Sequence, residues 1–291
     1  MKRILGMIML CLAIFSGCRP SADTTSLDLS VGYSLNGKAL TMDTLAYVNE
    51  AGNTFLVTEV QWFLSHLEMQ DEQGAWVAFG GGDTPLYLDT EIPETHHLHF
   101  EEVPQGHYTR LRFTFGLDET DNVTGRFPDA PEANMFWPEP LGGGYHYMKL
   151  NGKWENPAGE LAPFNLHLGI GQDEGLTEFY QNYFSVTLPL DLTVKARQTA
   201  QLQLTMVIDN WFRNPHTYDF NVFGGAIMQN QEAQQLLKEN GHDVFTAEST
   251  YSTKSAESAR KIVHAAAPKP HFFTRKNMEQ LLSDLRKNKK P

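Results

Sequence analysis

Cysteine is nearly missing from this 291-residue chain: Cys11 and Cys18 are its two cysteines, both among the first eighteen positions. The remainder therefore has no thiol nucleophile, thiolate zinc site, iron–sulfur ligation or disulfide scaffold. Long apolar runs are scarce as well. Beyond Phe15 no stretch reaches eighteen consecutive apolar residues, so none reads as a membrane-spanning helix. Positive charge is in short supply, with 23 Lys and Arg against 35 Asp and Glu and a net charge of −12. That is the wrong sign for the basic footprint of a nucleic-acid binder. Catalytic signatures are missing too: the P-loop, the Rossmann glycine fingerprint, the G-x-S-x-G elbow and H-E-x-x-H, and nothing marks a carboxylate pair for glycoside hydrolysis. With these missing, no signature points to a particular enzyme class.

What is present is material for a large core. Hydrophobic residues make up 41% of the chain, with 18 Phe, 10 Tyr and 5 Trp, a globular rather than a disordered composition. The N-terminus reads as an export signal: Met1-Lys2-Arg3 is a basic start, and the apolar run Ile4–Phe15 is too short to span a bilayer. Ile14-Phe15-Ser16-Gly17-Cys18 resembles a bacterial lipobox, which makes Cys18 the lipidation candidate and the lipid the membrane attachment. The organisation expected is a signal peptide over 1–17, a polar tether over 18–27, a β domain over 28–253 and a basic extension over 254–291. That extension holds ten Lys and Arg against three Asp and Glu and includes one amphipathic helical stretch, Asn277–Lys287. It reads either as a solvated screen for the acidic body or as a contact with a partner or anionic headgroups.

Period-two alternation dominates the middle of the chain. Leu111, Phe113 and Phe115 alternate with Arg110, Arg112 and Thr114; Phe184, Val186, Leu188, Leu190 and Leu192 hold one face, with Pro189 marking an edge or a bend; Leu202, Leu204, Met206 and Ile208 hold another. Asn36-Gly37, Gly52-Asn53, Gln73-Gly74, Gln105-Gly106 and Asn151-Gly152 supply turns between such runs. The pattern predicts an all-β protein, an antiparallel β-sandwich with long loops. Gln229–Asn240 reads as its one short helix, closed by Gly241 as a left-handed C′ residue. Asp118–Gly144 lacks alternation and is rich in Pro and Gly, and a loop of that length in a compact domain is either functional or disordered.

Eleven histidines are present, and His96, His97 and His99 are the densest group. On a strand, His97 and His99 share a face and could hold a metal, although a solvated polar face is the simpler reading. More specific is M-F-W-P-E-P-L-G-G-G-Y-H-Y-M-K-L-N-G from Met135 to Gly152, followed by F-N-L-H-L-G from Phe164 to Gly169. With Y-S-L-N-G-K-A-L (Tyr33–Leu40), W-F-L-S-H-L-E-M (Trp62–Met69), G-H-Y-T-R-L-R-F-T-F-G-L-D (Gly106–Asp118) and N-G-H-D-V-F (Asn240–Phe245), these pieces stand in family order over about residues 28–248. The chain thereby resembles the MbnP-like family of exported, copper-associated proteins.

The resemblance implies a β-rich domain that binds copper in the bacterial cell envelope, lipid-anchored on the periplasmic side or at the outer-membrane surface. It also implies a di-haem cytochrome c peroxidase/MauG-like partner that oxidises a tryptophan to kynurenine, the site being completed by two histidines. Carried over by motif, Trp137 is the residue for oxidation and His167 a ligand. The first family histidine aligns with Ser65, so His66, one place on, serves only if a bulge re-aims it. His146, read as a surface position, and His216 are reserve ligands, and oxidation by hole transfer is expected to need Trp137 near the surface. Two alternatives remain on the same fold. One is a metal-free module presenting the aromatic loop to a protein or a TonB-dependent receptor; the other is a carbohydrate binder stacking sugars on Trp62, Trp76, Trp137 or Trp154.

Overall fold

The computed structural model describes residues 24–80 and 84–250. The segment expected to be a signal peptide, with Cys18, and the basic extension, with the helix expected at 277–287, lie outside the described residues. Among the described residues no helix is long and apolar enough to cross a membrane.

Two sheets face each other. The larger has the order Leu161–Leu168, Met148–Glu155, Thr54–Asp71, Gly106–Phe115, Phe184–Val194, with three short strands pairing along Thr54–Asp71. The smaller runs Phe245–Thr250, Thr199–Val207, Thr24–Leu35, Lys38–Ala39, with His97–Pro104 also on Thr24–Leu35. The expected alternation is what packs them. Leu111, Phe113, Phe115, Leu204, Met206 and Ile208 are fully buried, and rings cross the gap: Phe245 lies 5.3 Å from Trp62 and 5.2 Å from Phe113 between centroids. Such pairs add about 0.5–1.5 kcal/mol each beyond the burial of their area. The fold is thus an all-β sandwich.

The departures from expectation have local causes. One pairing, Thr24–Leu35 with Thr199–Val207, is parallel, so the sandwich is not purely antiparallel. That first strand begins at Thr24, inside the expected tether, because Leu27 is fully buried opposite Ala200 and Phe100. Asn36 and Gly37 both take positive φ, 53° and 68°, and make the two-residue hairpin expected there. Pro189 sits at a register shift on an edge strand, one of the places in a sheet where proline is tolerated. The helix spans Gln231–Asn240 with Asn230 as its N-cap. Gly241 is right-handed (φ −59°) rather than the left-handed residue expected. Its glycine is required by packing, since a Cβ there would lie 2.1 Å from Phe184 Cζ.

Candidate metal centre

The Leu161–Leu168 strand explains the H-L-G motif residue by residue. Phe164, Leu166 and Leu168 bury into the sandwich, so the period of two turns His167 to the opposite face of the sheet. That face is covered here by the Asp118–Gly144 loop. Gly169 then leaves room for an indole: a Cβ at this position would lie 2.6 Å from Trp137 Cε3. Trp137, Leu141 and Ile170 form a small buried cluster separate from the main core, with Met228 against it. The indole N–H donates to the Leu141 carbonyl at 3.0 Å.

Met135–Trp137 runs antiparallel to Gly144–His146. The Trp137 N–H donates to the Gly144 carbonyl at 2.8 Å and the His146 N–H to the Met135 carbonyl at 2.6 Å, across a left-handed glycine turn at 142–144. The next residue, Tyr147, donates to the Leu168 carbonyl at 2.7 Å and extends the Met148–Glu155 strand beside Leu161–Leu168. This places His146 between Trp137 and His167. The His146 ring centroid is 4.7 Å from Trp137 and 4.8 Å from His167, both edge-to-face.

His146 is 5% exposed, and its Nε2 has no hydrogen-bond partner among the described residues. Its Nδ1 faces the Met135 carbonyl at 2.8 Å; a carbonyl only accepts, so the proton is on Nδ1 and the lone pair on Nε2. A buried unpaired nitrogen costs about 1–3 kcal/mol unless something fills its coordination. Burial, reinforced by the neighbouring His167, pushes His146 down to about 3. Burial and then the Lys149 ammonium push His167 down to about 4. Both imidazoles are therefore neutral at physiological pH, the form that ligates metal. His167 also lines an open depression of about 370 Å³ walled by Pro138, Leu141, Asn165, Ala226, Met228 and Gln229, which gives a route from solvent. Among the described residues no carboxylate hydrogen-bonds to either ring, and two neutral imidazoles suit copper, zinc, iron or nickel.

The other expected site residues lie in different surroundings. A bulge does occur at His66: the register shifts between Ser65 and Glu68, and His66 takes φ 54°. The ring it re-aims meets Asp121 at 3.0 Å and Asp118 at 3.4 Å, not Trp137. Ser65 is buried and donates to the Gly116 carbonyl. The ligand atoms of His66, Asp118 and Asp121 lie within 4.8 Å of one another, so this group could hold a metal of harder preference. Arg126 already pairs with Asp121 at 3.0 Å. His216 is bonded to Glu239, at the end of the Gln231–Asn240 helix. His97 and His99 are exposed, against Ser30 and Asp28 respectively.

Two expectations are corrected. His146 is buried rather than at the surface, because Gly144–Tyr147 prolongs a strand under the loop. Trp137 is fully buried rather than near the surface, although its neighbour Phe136 is 44% exposed. Burial also removes Trp62 and Trp137 as sugar platforms. Trp76 carries the Arg112 guanidinium 4.0 Å over its ring, and Trp154 is stacked on Phe220.

The family model described as MbnP matches residues 24–230. Among solved structures, MbnP from Methylosinus trichosporium is similar in fold, with 14% identity, 78% of this chain and 99% of that chain covered, and a TM-score of 0.52. No curated protein matches.

Proposed function

We propose a function from the premise that this chain belongs to the MbnP family: it is an exported, lipid-anchored copper-binding protein whose ion is held by His146 and His167 beside Trp137. The observation that carries this reading is the buried, unpartnered Nε2 of His146, next to a second neutral imidazole that opens to a solvent-accessible depression. Copper(I) accepts imidazole lone pairs at low coordination number. What the chain itself supplies is two pre-deprotonated ligands, a water-poor setting around the indole, and the Lys149 ammonium, which disfavours a more highly charged ion. The protein holds copper for a di-haem peroxidase-like partner and is not itself a catalyst. Trp137 is the residue that partner oxidises. With two equivalents of hydrogen peroxide as oxidant, the indole C2–C3 bond breaks, C2 leaves as formate, water forms, and kynurenine brings a new carbonyl and an aniline nitrogen to the site.

The test is an anaerobic copper(I) titration against a chromogenic chelator. One equivalent should bind, and His146→Ala and His167→Ala should each weaken it at least about 10-fold. A second reading places a divalent cation on His66, Asp118 and Asp121, favoured by their convergence. Binding that survives both His substitutions and is lost in Asp121→Asn would support that reading. No binding in any form would favour a metal-free module.

A further inference from the structure

The face of the sheet that carries His167 also carries an unbroken polar chain. His167 Nε2 lies 2.9 Å from Asn151 Oδ1, and Asn151 Nδ2 donates to Glu59 Oε2 at 2.6 Å. The strands build this arrangement deliberately. Asn151 and His167 are diagonal neighbours, because Asn151 pairs with Asn165 and Lys149 with His167. Glu59 reaches Asn151 only because a bulge shifts the register between Val57 and Glu59; without the extra residue Thr58, Glu59 would not stand opposite Asn151.

The direction of each proton in the chain is forced. A Glu59 carboxylate oxygen only accepts, so the Asn151 amide nitrogen must face it. The Asn151 oxygen then faces His167 and also only accepts, so the neutral His167 ring must carry its proton on Nε2. Its lone pair is left on Nδ1. His146 is fixed in the opposite sense by the Met135 carbonyl, with its lone pair on Nε2. The same sheet face steadies that contact too, since Lys149 Nζ donates to the Asn134 carbonyl at 2.7 Å, one residue before Met135.

We propose that Glu59 and Asn151 are positioning residues that lock His167 in its Nε2–H tautomer and so present Nδ1 to the metal. This rests on the reading of His167 as a ligand. Partners of this kind orient metal-binding imidazoles, and their loss costs about 10–100-fold in metal affinity.

The experiment uses full-length protein purified from its native cells with histidine labelled by nitrogen-15. Long-range proton–nitrogen NMR reads each ring's tautomer in the metal-free protein, and copper(I) titration reads affinity separately. The wild type should show His167 as one Nε2–H tautomer. Asn151→Leu should give a tautomer mixture and about 10–100-fold weaker copper(I) binding. The double variant Glu59→Gln with Asn151→Asp reverses the upper link while keeping an acceptor against His167, so it should restore both the tautomer and the affinity. A wild-type His167 protonated on Nδ1 would overturn the proposal without any variant having to fold. So would an Asn151→Leu protein with unchanged tautomer and affinity, or a double variant no better than Asn151→Leu. Expected tautomers in a wild type that binds no copper(I) would uphold the lock and count against the metal reading instead.

Discussion

At the scale of single residues, the site depends on keeping two imidazoles neutral and one indole in place. The folded-state values of His146 and His167, about 3 and about 4, lie below the ordinary 6.5, so the unfolded chain takes up these protons first. Their contribution to stability is therefore complete above about pH 6.5 and is lost as pH falls, toward about 4 for His167 and about 3 for His146. Both rings should still give neutral imidazole spectra at pH 5.5 in the metal-free protein, whereas an ordinary histidine would be largely protonated. Gly169 governs the indole. Gly169→Ala puts a methyl group against Trp137, and a loss of about 1–3 kcal/mol is expected in urea unfolding. A shifted tryptophan emission should accompany it. The sequence made His167, Trp137 and Gly169 legible together, because the H-L-G and M-F-W motifs are short and local. His146 was not legible as a central residue. Its burial comes from Gly144–Tyr147 continuing a strand beneath a loop, which no alternation around Tyr145–Met148 announces.

At the scale of elements, bulges decide which face a side chain serves. One turns His66 toward Asp118 and Asp121, and another sets Glu59 opposite Asn151. Period-two reading places residues on faces only between such irregularities, which is why the Phe184–Leu192 and Leu202–Ile208 faces were readable and the surroundings of His66 were not. The first strand shows a different limit. Thr24–Leu27 looks like polar tether in sequence, yet it pairs with chain more than seventy residues away on both sides. A chain starting at Asp28 should therefore be less stable than one starting at Ala22 by about 2–5 kcal/mol, the range for removing one buried Leu. Urea denaturation of the two truncated proteins measures the difference. Equal midpoints would mean that the Thr24–Leu27 pairing contributes nothing.

At the scale of the whole molecule, the proposed site lies outside the core of the sandwich. Trp137, Leu141 and Ile170 form their own small cluster, laid over the outer face of the larger sheet by the Asp118–Gly144 loop. Trp137 is fully buried, so the oxidation proposed above requires electron transfer across the loop rather than contact with the ring. The all-β class was legible because alternation repeats along the chain, while the parallel pairing was not, since it joins segments about 170 residues apart. The most direct measurement is metal content together with intact mass for the full-length protein purified from its native cells, beside His146→Ala and His167→Ala. About one copper per chain is expected in the wild type and markedly less in each variant, with the mass gain of exchanging one carbon for one oxygen mapping to Trp137. Copper retained in both variants, or absent from a wild-type protein with an unmodified Trp137, would contradict the assignment of this site.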